Sequence, residues 1–189
     1  IQHTPEDAGL SNLLARTLIF GNRFDDAEKT IEGVLAREPQ NPAALYFRGL
    51  IQVRKPGGDL NAAIRDLRAV RDAARLSTDE RMTLVEALMR NGDQNNAIIE
   101  LRDLVDTNLL NKVLRLQLAD LLSRTTPPRL DEARRVVEVG LSRPEFANDP
   151  DLLMTKSRIQ LGLGDGDGAV LSSREAVKSS KSAPPAVRA

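Results

Sequence analysis

Apolar side chains return along this chain at the 3.6-residue period of a helix. Leu14 and Leu18 are followed by Ile31, Val34 and Leu35. Leu84 and Leu88 are followed in the same way by Leu101, Leu104 and Val105. No run alternates apolar and polar positions between turn signals, so no strand is predicted. Short polar breaks separate the helical runs: Gly21-Asn22, "KPGGD" from 55, "NGD" from 91, "TTPP" from 125 and "GDGDG" from 164. Helix starts are marked too. "TPED" at 4–7 offers Thr4 as cap with Pro5 in the first helical position, and the device returns at Asn41-Pro42 and Asp149-Pro150. "STDE" at 77–80 has the form of a capping box, in which Ser77 and Glu80 satisfy each other's backbone N–H groups. The pattern predicts about ten helices of roughly 11 to 16 residues joined by short connections.

An internal repeat underlies the pattern. An alanine follows each turn at 27, 63, 97, 133 and 169, with separations of 36, 34, 36 and 36 residues. In the helix before each turn stands a second small or modest residue: Ala15, Gly49, Val85, Ala119 and Ser157. Its distances to the paired alanine are 12, 14, 12, 14 and 12. The two longer spacings fall on "KPGG" and "TTPP", where a turn absorbs the extra residues. Two antiparallel helices that cross closely need a small side chain where they meet. Leu14, Leu18, Ile31, Val34 and Leu35 are expected to fill the first such contact, and Leu84, Leu88, Leu101, Leu104 and Val105 the third. A single helix pair cannot bury its apolar faces alone, so neighbouring pairs are expected to stack.

In its first unit the chain resembles the tetratricopeptide repeat (TPR) family. Leu14-Ala15, Leu18, Phe24, Ala27, Ile31, Val34 and Pro39 match the spaced pattern of that family over a full period. Later units depart from it. Leu60, Gln94, Leu130 and Gly166 replace the turn aromatic, and Ser11, Leu45, Arg81, Arg115 and Leu153 stand where the family carries Trp. The resemblance implies an all-α fold, a right-handed α-solenoid of about five antiparallel helical hairpins. The expected array spans residues 1–179, with units at 5–41, 42–76, 77–109, 110–145 and 146–179. Residues 180–189 are then a tail or the start of a further, truncated repeat. The chain begins with Ile rather than Met and shows no helix with an obviously polar capping face, as expected of a piece of a longer protein.

Composition agrees with helix and narrows the function. Apolar residues are mostly Leu, Ala, Val and Ile, and only four Phe, one Tyr and no Trp are present. Basic and acidic residues balance at 27 each and are interleaved, so no net field draws phosphates and no nucleic-acid partner is expected. With no cysteine, disulfides and thiolate metal sites are excluded, while cytoplasm and a bacterial periplasm or envelope stay equally open. Heavy use of Arg, Ala and Leu points to a bacterial chain. No apolar run is long enough to span a membrane.

Candidate chemistry is sparse. His3 is the sole histidine and lacks the partners that a metal site or a general base needs. "GLGDGDGA" at 162–169 resembles a glycine-rich phosphate loop or an Asp165/Asp167 metal pair, but it lacks the strand of the first and the further oxygen ligands of the second. It reads as a turn. Paired acids at Asp25-Asp26, Asp79-Glu80 and Asp131-Glu132 lie in first helical turns, where they complement the helix dipole. No enzyme motif and no cofactor are expected.

In TPR arrays the first helix of each unit lines a concave groove that receives a peptide or a partner surface. Carried onto this chain, the resemblance gives a groove with Arg16, Tyr46, Leu50, Arg54, Met82, Met89, Arg90, Leu116 and Arg124 as its candidate residues. Asn12, Arg16 and Leu50 occupy the positions of the family's chaperone-type carboxylate clamp and do not reproduce it. What remains is an apolar floor with methionines, which adapt to irregular surfaces, edged by arginines that fork onto carboxylates. The expected function is a protein–protein interaction scaffold with a protein or peptide partner. The alternatives are a docking arm of an enzyme whose catalytic domain lies elsewhere, or a spacer in a cell-envelope export or secretion assembly.

Overall fold

The computed structural model describes residues 7–73 and 76–182, and among these it contains ten α-helices and no strand. They are α1 (Ala8–Phe20), α2 (Phe24–Arg37), α3 (Pro42–Arg54), α4 (Leu60–Ala73), α5 (Thr78–Arg90), α6 (Gln94–Thr107), α7 (Lys112–Ser123), α8 (Leu130–Leu141), α9 (Pro150–Gly162) and α10 (Gly166–Ser182). A single 3₁₀ turn, Pro144–Phe146, precedes α9. Phe24, Leu60, Gln94, Leu130 and Gly166, the five turn positions aligned by the repeat, are the first residues of α2, α4, α6, α8 and α10.

Local chemistry explains the boundaries. Asn41 accepts from the Ala44 amide at 3.0 Å, and Asp149 accepts from Asp151 and Leu152 at 3.0 and 3.1 Å, each with proline following as the first helical residue. Ser77 and Glu80 form the complete capping box. The expected cap Thr4 lies outside the described residues; among those, α1 begins at Ala8 and Asp7 caps it, accepting from Gly9 at 2.8 Å. Asn22, Gly92 and Gly164 share positive φ angles of 56°, 78° and 81°, each five places ahead of its packing alanine at 27, 97 or 169. Asn and Gly tolerate that left-handed bend better than other residues. Towards the other end of the described residues α10 runs on to Ser182, into the stretch 180–189 expected to be a tail or the start of a further repeat.

The chain divides into two compact units, Ile1–Ala97 and Ile98–Ala189. In the first, α1 packs on α2 and α3 on α4, while α1, α3 and α5 lie side by side. In the second, α7 packs on α8 and α9 on α10, with α7 beside α9.

All five register alanines are buried, Ala27, Ala63, Ala97 and Ala133 completely. Gly49 shows why the crossing must be small: a Cβ there would come within 2.8 Å of Leu67 and 3.3 Å of the Ala63 carbonyl oxygen. Ile31, Val34, Leu84, Leu88, Leu101 and Leu104 are buried as fillers, each contributing about 1.5–3 kcal/mol. Leu14 is not one of them, being 51% exposed. Leu84, at the equivalent place in α5, is fully buried, and α5 packs on the preceding α4, whereas among the described residues no helix precedes α1. Leu10 and Leu13 are exposed on the same helix.

Polar contacts tie the pairs together. Arg48 grips Asp66 with two bonds of 2.6 and 2.7 Å, joining α3 to α4. Lys55 bridges Asp25 and Glu28 of α2, and Lys112 bridges Asp149 and Asp151 at the start of α9. In the second unit Arg115 is buried, stem included. Burial, with Arg143 nearby, pulls its guanidinium below the usual arginine range.

Candidate partner-binding cleft

Along α3 the residues Tyr46, Leu50 and Arg54 follow one another at intervals of four, so they share one helical face. That face looks away from α4 and into a cleft of about 710 Å³, walled by α1 on one side and by the start of α5 on the other. Arg16, Ile19 and Phe20 come from α1, Asn22 and Phe24 from the turn and first residue of α2, and Ser77, Asp79, Glu80 and Thr83 from the first turns of α5.

The cleft is the aromatic center of the molecule. Four of the chain's five aromatic residues (Phe20, Phe24, Tyr46 and Phe47) line it, and only Phe146 lies elsewhere. Tyr46 and Phe47 meet edge to face with centroids 5.3 Å apart, and Phe24, Tyr46, Phe47 and Leu50 rest their inner edges on the buried core of the first unit. Phe20 differs, standing 83% exposed at the rim. A large ring held in water at the mouth of an aromatic cleft is an apolar surface still to be covered.

The polar groups are unevenly satisfied. The Tyr46 hydroxyl lies 3.4 Å from the buried Thr83 hydroxyl. Burial pushes the Tyr46 phenol above its ordinary value; Thr83 and Arg54 oppose the shift while Glu80 and Asp79 add to it. Glu80 is committed to the Ser77 cap. Arg54 reaches Glu86 at 3.4 Å, an exposed and loose pair. Arg16 and the Asp79 carboxylate have no ion-pair partner among the described residues.

Of the residues singled out from sequence, the structure gathers Arg16, Tyr46, Leu50 and Arg54 in this cleft. Met82 and Met89 lie on α5 outside its lining, Met82 half-buried and Met89 37% exposed. The Arg90 guanidinium donates to the Val53 carbonyl and so closes the C-terminal end of α3. Leu116 and Arg124 belong to the second unit, Arg124 paired with Asp120 at 3.0 Å. That unit has a smaller recess of about 190 Å³ among Asp120, Ser123, Leu130, Thr155, Arg158 and Ile159. Phe20, Phe24 and Phe47 escaped the sequence reading as site residues. Their crowding between 20 and 47, in a chain so poor in aromatics, was the available signal.

"GDGDG" is a turn whose first acid is occupied. Asp165 accepts from the Gly168 amide and the Gln160 side chain, both at 2.9 Å, at the start of α10.

Residues 1–51 match the model of the tetratricopeptide repeat family. Solved structures extend the likeness over nearly the whole chain. YrrB, described as a TPR protein with an unusual peptide-binding site, is 18% identical with a TM-score of 0.72, covering 96% of this chain and 91% of that one. This is a tetratricopeptide repeat fold. Two MamA structures share it. One is 19% identical with a TM-score of 0.71, covering 92% of this chain and 93% of its own. The other, MamA 41-end from Desulfovibrio magneticus RS-1, is 12% identical with a TM-score of 0.70, covering 94% and 97%. No curated protein sequence matches at a significant level. No described helix is long and apolar enough to cross a membrane.

Proposed function

We propose that this TPR scaffold docks a peptide segment of a partner protein in the cleft of α1, α3 and α5, with the repeats organised as five units over 5–179. The observation that carries the reading is the gathering of four of five aromatic residues around one 710 Å³ cleft, with Phe20 left 83% exposed at its mouth. Rings contribute large apolar area at small conformational cost, which is why they anchor docking sites. Arg16, Tyr46, Leu50 and Arg54 are the contact residues of this proposal. YrrB, of like fold, is described as having a peptide-binding site. Catalysis and cofactors have no part in the reading.

The test is a library of random twelve-residue peptides displayed on phage and panned against the purified chain. Clones should be retained by the protein as it stands and lost from a Phe20→Ser, Leu50→Ser variant whose helical circular dichroism is unchanged. Clones that ignore these substitutions would place docking elsewhere and sink the proposal.

A further inference from the structure

The two walls of the cleft carry opposite charges that form no ion pair among the described residues. On α1, Arg16 is exposed and has no ion-pair partner among the described residues. On the facing wall, Asp79 is exposed in the first turn of α5, and its carboxylate likewise has no ion-pair partner among the described residues. Between them runs α3, packed against both neighbours, presenting Tyr46 and Leu50 as an apolar floor. The other charged groups do not erase this polarity. Arg54 of α3 reaches across to Glu86 of α5 and shares its charge there, and Glu80 adds to the acidic wall although it is tied to Ser77.

Resting on the docking reading above, we infer that the cleft selects its peptide by charge order. Its occupant is a segment with a large apolar side chain at the center, a carboxylate on the side facing Arg16 and a cation on the side facing Asp79. A segment with the opposite arrangement meets like charge on both walls. Rim charges of this kind discriminate between partners more than they add affinity. Neighbouring helices lie about 8–10 Å apart, and the two side chains reach inward from either wall. Extended backbone advances about 3.3 Å per residue, so the two charges of the peptide should stand about three to five residues apart.

Panning the same twelve-residue library against the unaltered chain and against an Arg16→Glu, Asp79→Lys double variant tests this. Both positions are exposed, so the variant should keep its melting temperature. The unaltered chain should enrich peptides with an acid and a base on opposite sides of an apolar residue. The double variant should enrich the reverse order along the chain. A synthetic winner, measured by fluorescence anisotropy, should lose about tenfold in affinity on the double variant, while its charge-reversed copy regains it. Winners that require Phe20 and Leu50 but show no charge order overturn this inference and leave docking standing. A library that yields no winner overturns both.

Discussion

Ser157 donates its hydroxyl to the Ala169 carbonyl oxygen at 2.9 Å and meets the Ser173 hydroxyl at 2.8 Å, so the crossing of α9 on α10 is fastened by a buried hydrogen bond. At the same register place α3 has Gly49 and α1 has Ala15, which cross by close approach alone. Replacing Ser157 with Ala should therefore cost about 1 kcal/mol in urea unfolding. Ala27→Trp or Ala63→Trp should cost about 1–3 kcal/mol or more, because neither site has room for a ring. Tolerance of both tryptophans would refute the register.

Two glycines should respond in opposite directions to the same substitution. Gly49→Ala places a Cβ 2.8 Å from Leu67 and 3.3 Å from the Ala63 carbonyl, and should destabilise by about 1–3 kcal/mol. Gly33 lies exposed inside α2 with nothing within 4 Å of a new Cβ, so Gly33→Ala should stabilise by about 0.5–1 kcal/mol. Parallel thermal melts of the two variants decide the matter.

Arg90 and Arg124, alike in sequence context, should separate on substitution by Met. Arg90 donates to the Val53 carbonyl at the end of α3, and its loss should cost about 1–2 kcal/mol of stability. Arg124, with its side chain 74% exposed beside Asp120, should change stability by no more than about 0.5 kcal/mol. Equal effects in chemical denaturation would contradict the structural role given to Arg90.

Glu132 gathers Arg129, through bonds of 2.7 and 2.8 Å, and Arg102 of α6 at 2.8 Å. The hydrogen bonds from Arg129 lead in holding its carboxyl below the ordinary value of 4.5. A folded value lower than the unfolded one gives stability that is complete above pH 4.5 and fades as pH falls through the folded value. Glu132→Gln should thus be less stable near neutrality, by under about 1 kcal/mol because these groups are partly solvated. The gap should close as pH falls below 4.5. A gap that persisted or widened in acid would contradict the assignment.

The repeat register was legible because it is written locally. Ala27, its turn at Gly21-Asn22 and the first residue Phe24 lie within a few positions of one another, and each is fixed by backbone geometry or close contact. Caps at Asn41, Ser77 and Asp149 were legible for the same reason. Leu14 was not, because its exposure depends on whether another helix covers it, and periodicity says only which face is apolar. The cleft was half legible. Tyr46, Leu50 and Arg54 follow from the face of one helix, but Phe20 and Asp79 join them only when α1 and α5 settle on either side. Arg90 was read as part of a charged rim, since its tie to Val53 spans two helices and leaves no trace in spacing.

Tyr46 gives the cleft one more property. It is the sole tyrosine of a chain without tryptophan, so practically all the ultraviolet emission of the protein arises from the wall of this cleft. Its hydroxyl already leans on Thr83. The protein therefore carries its own optical reporter, placed where the proposed docked segment would change the light it gives.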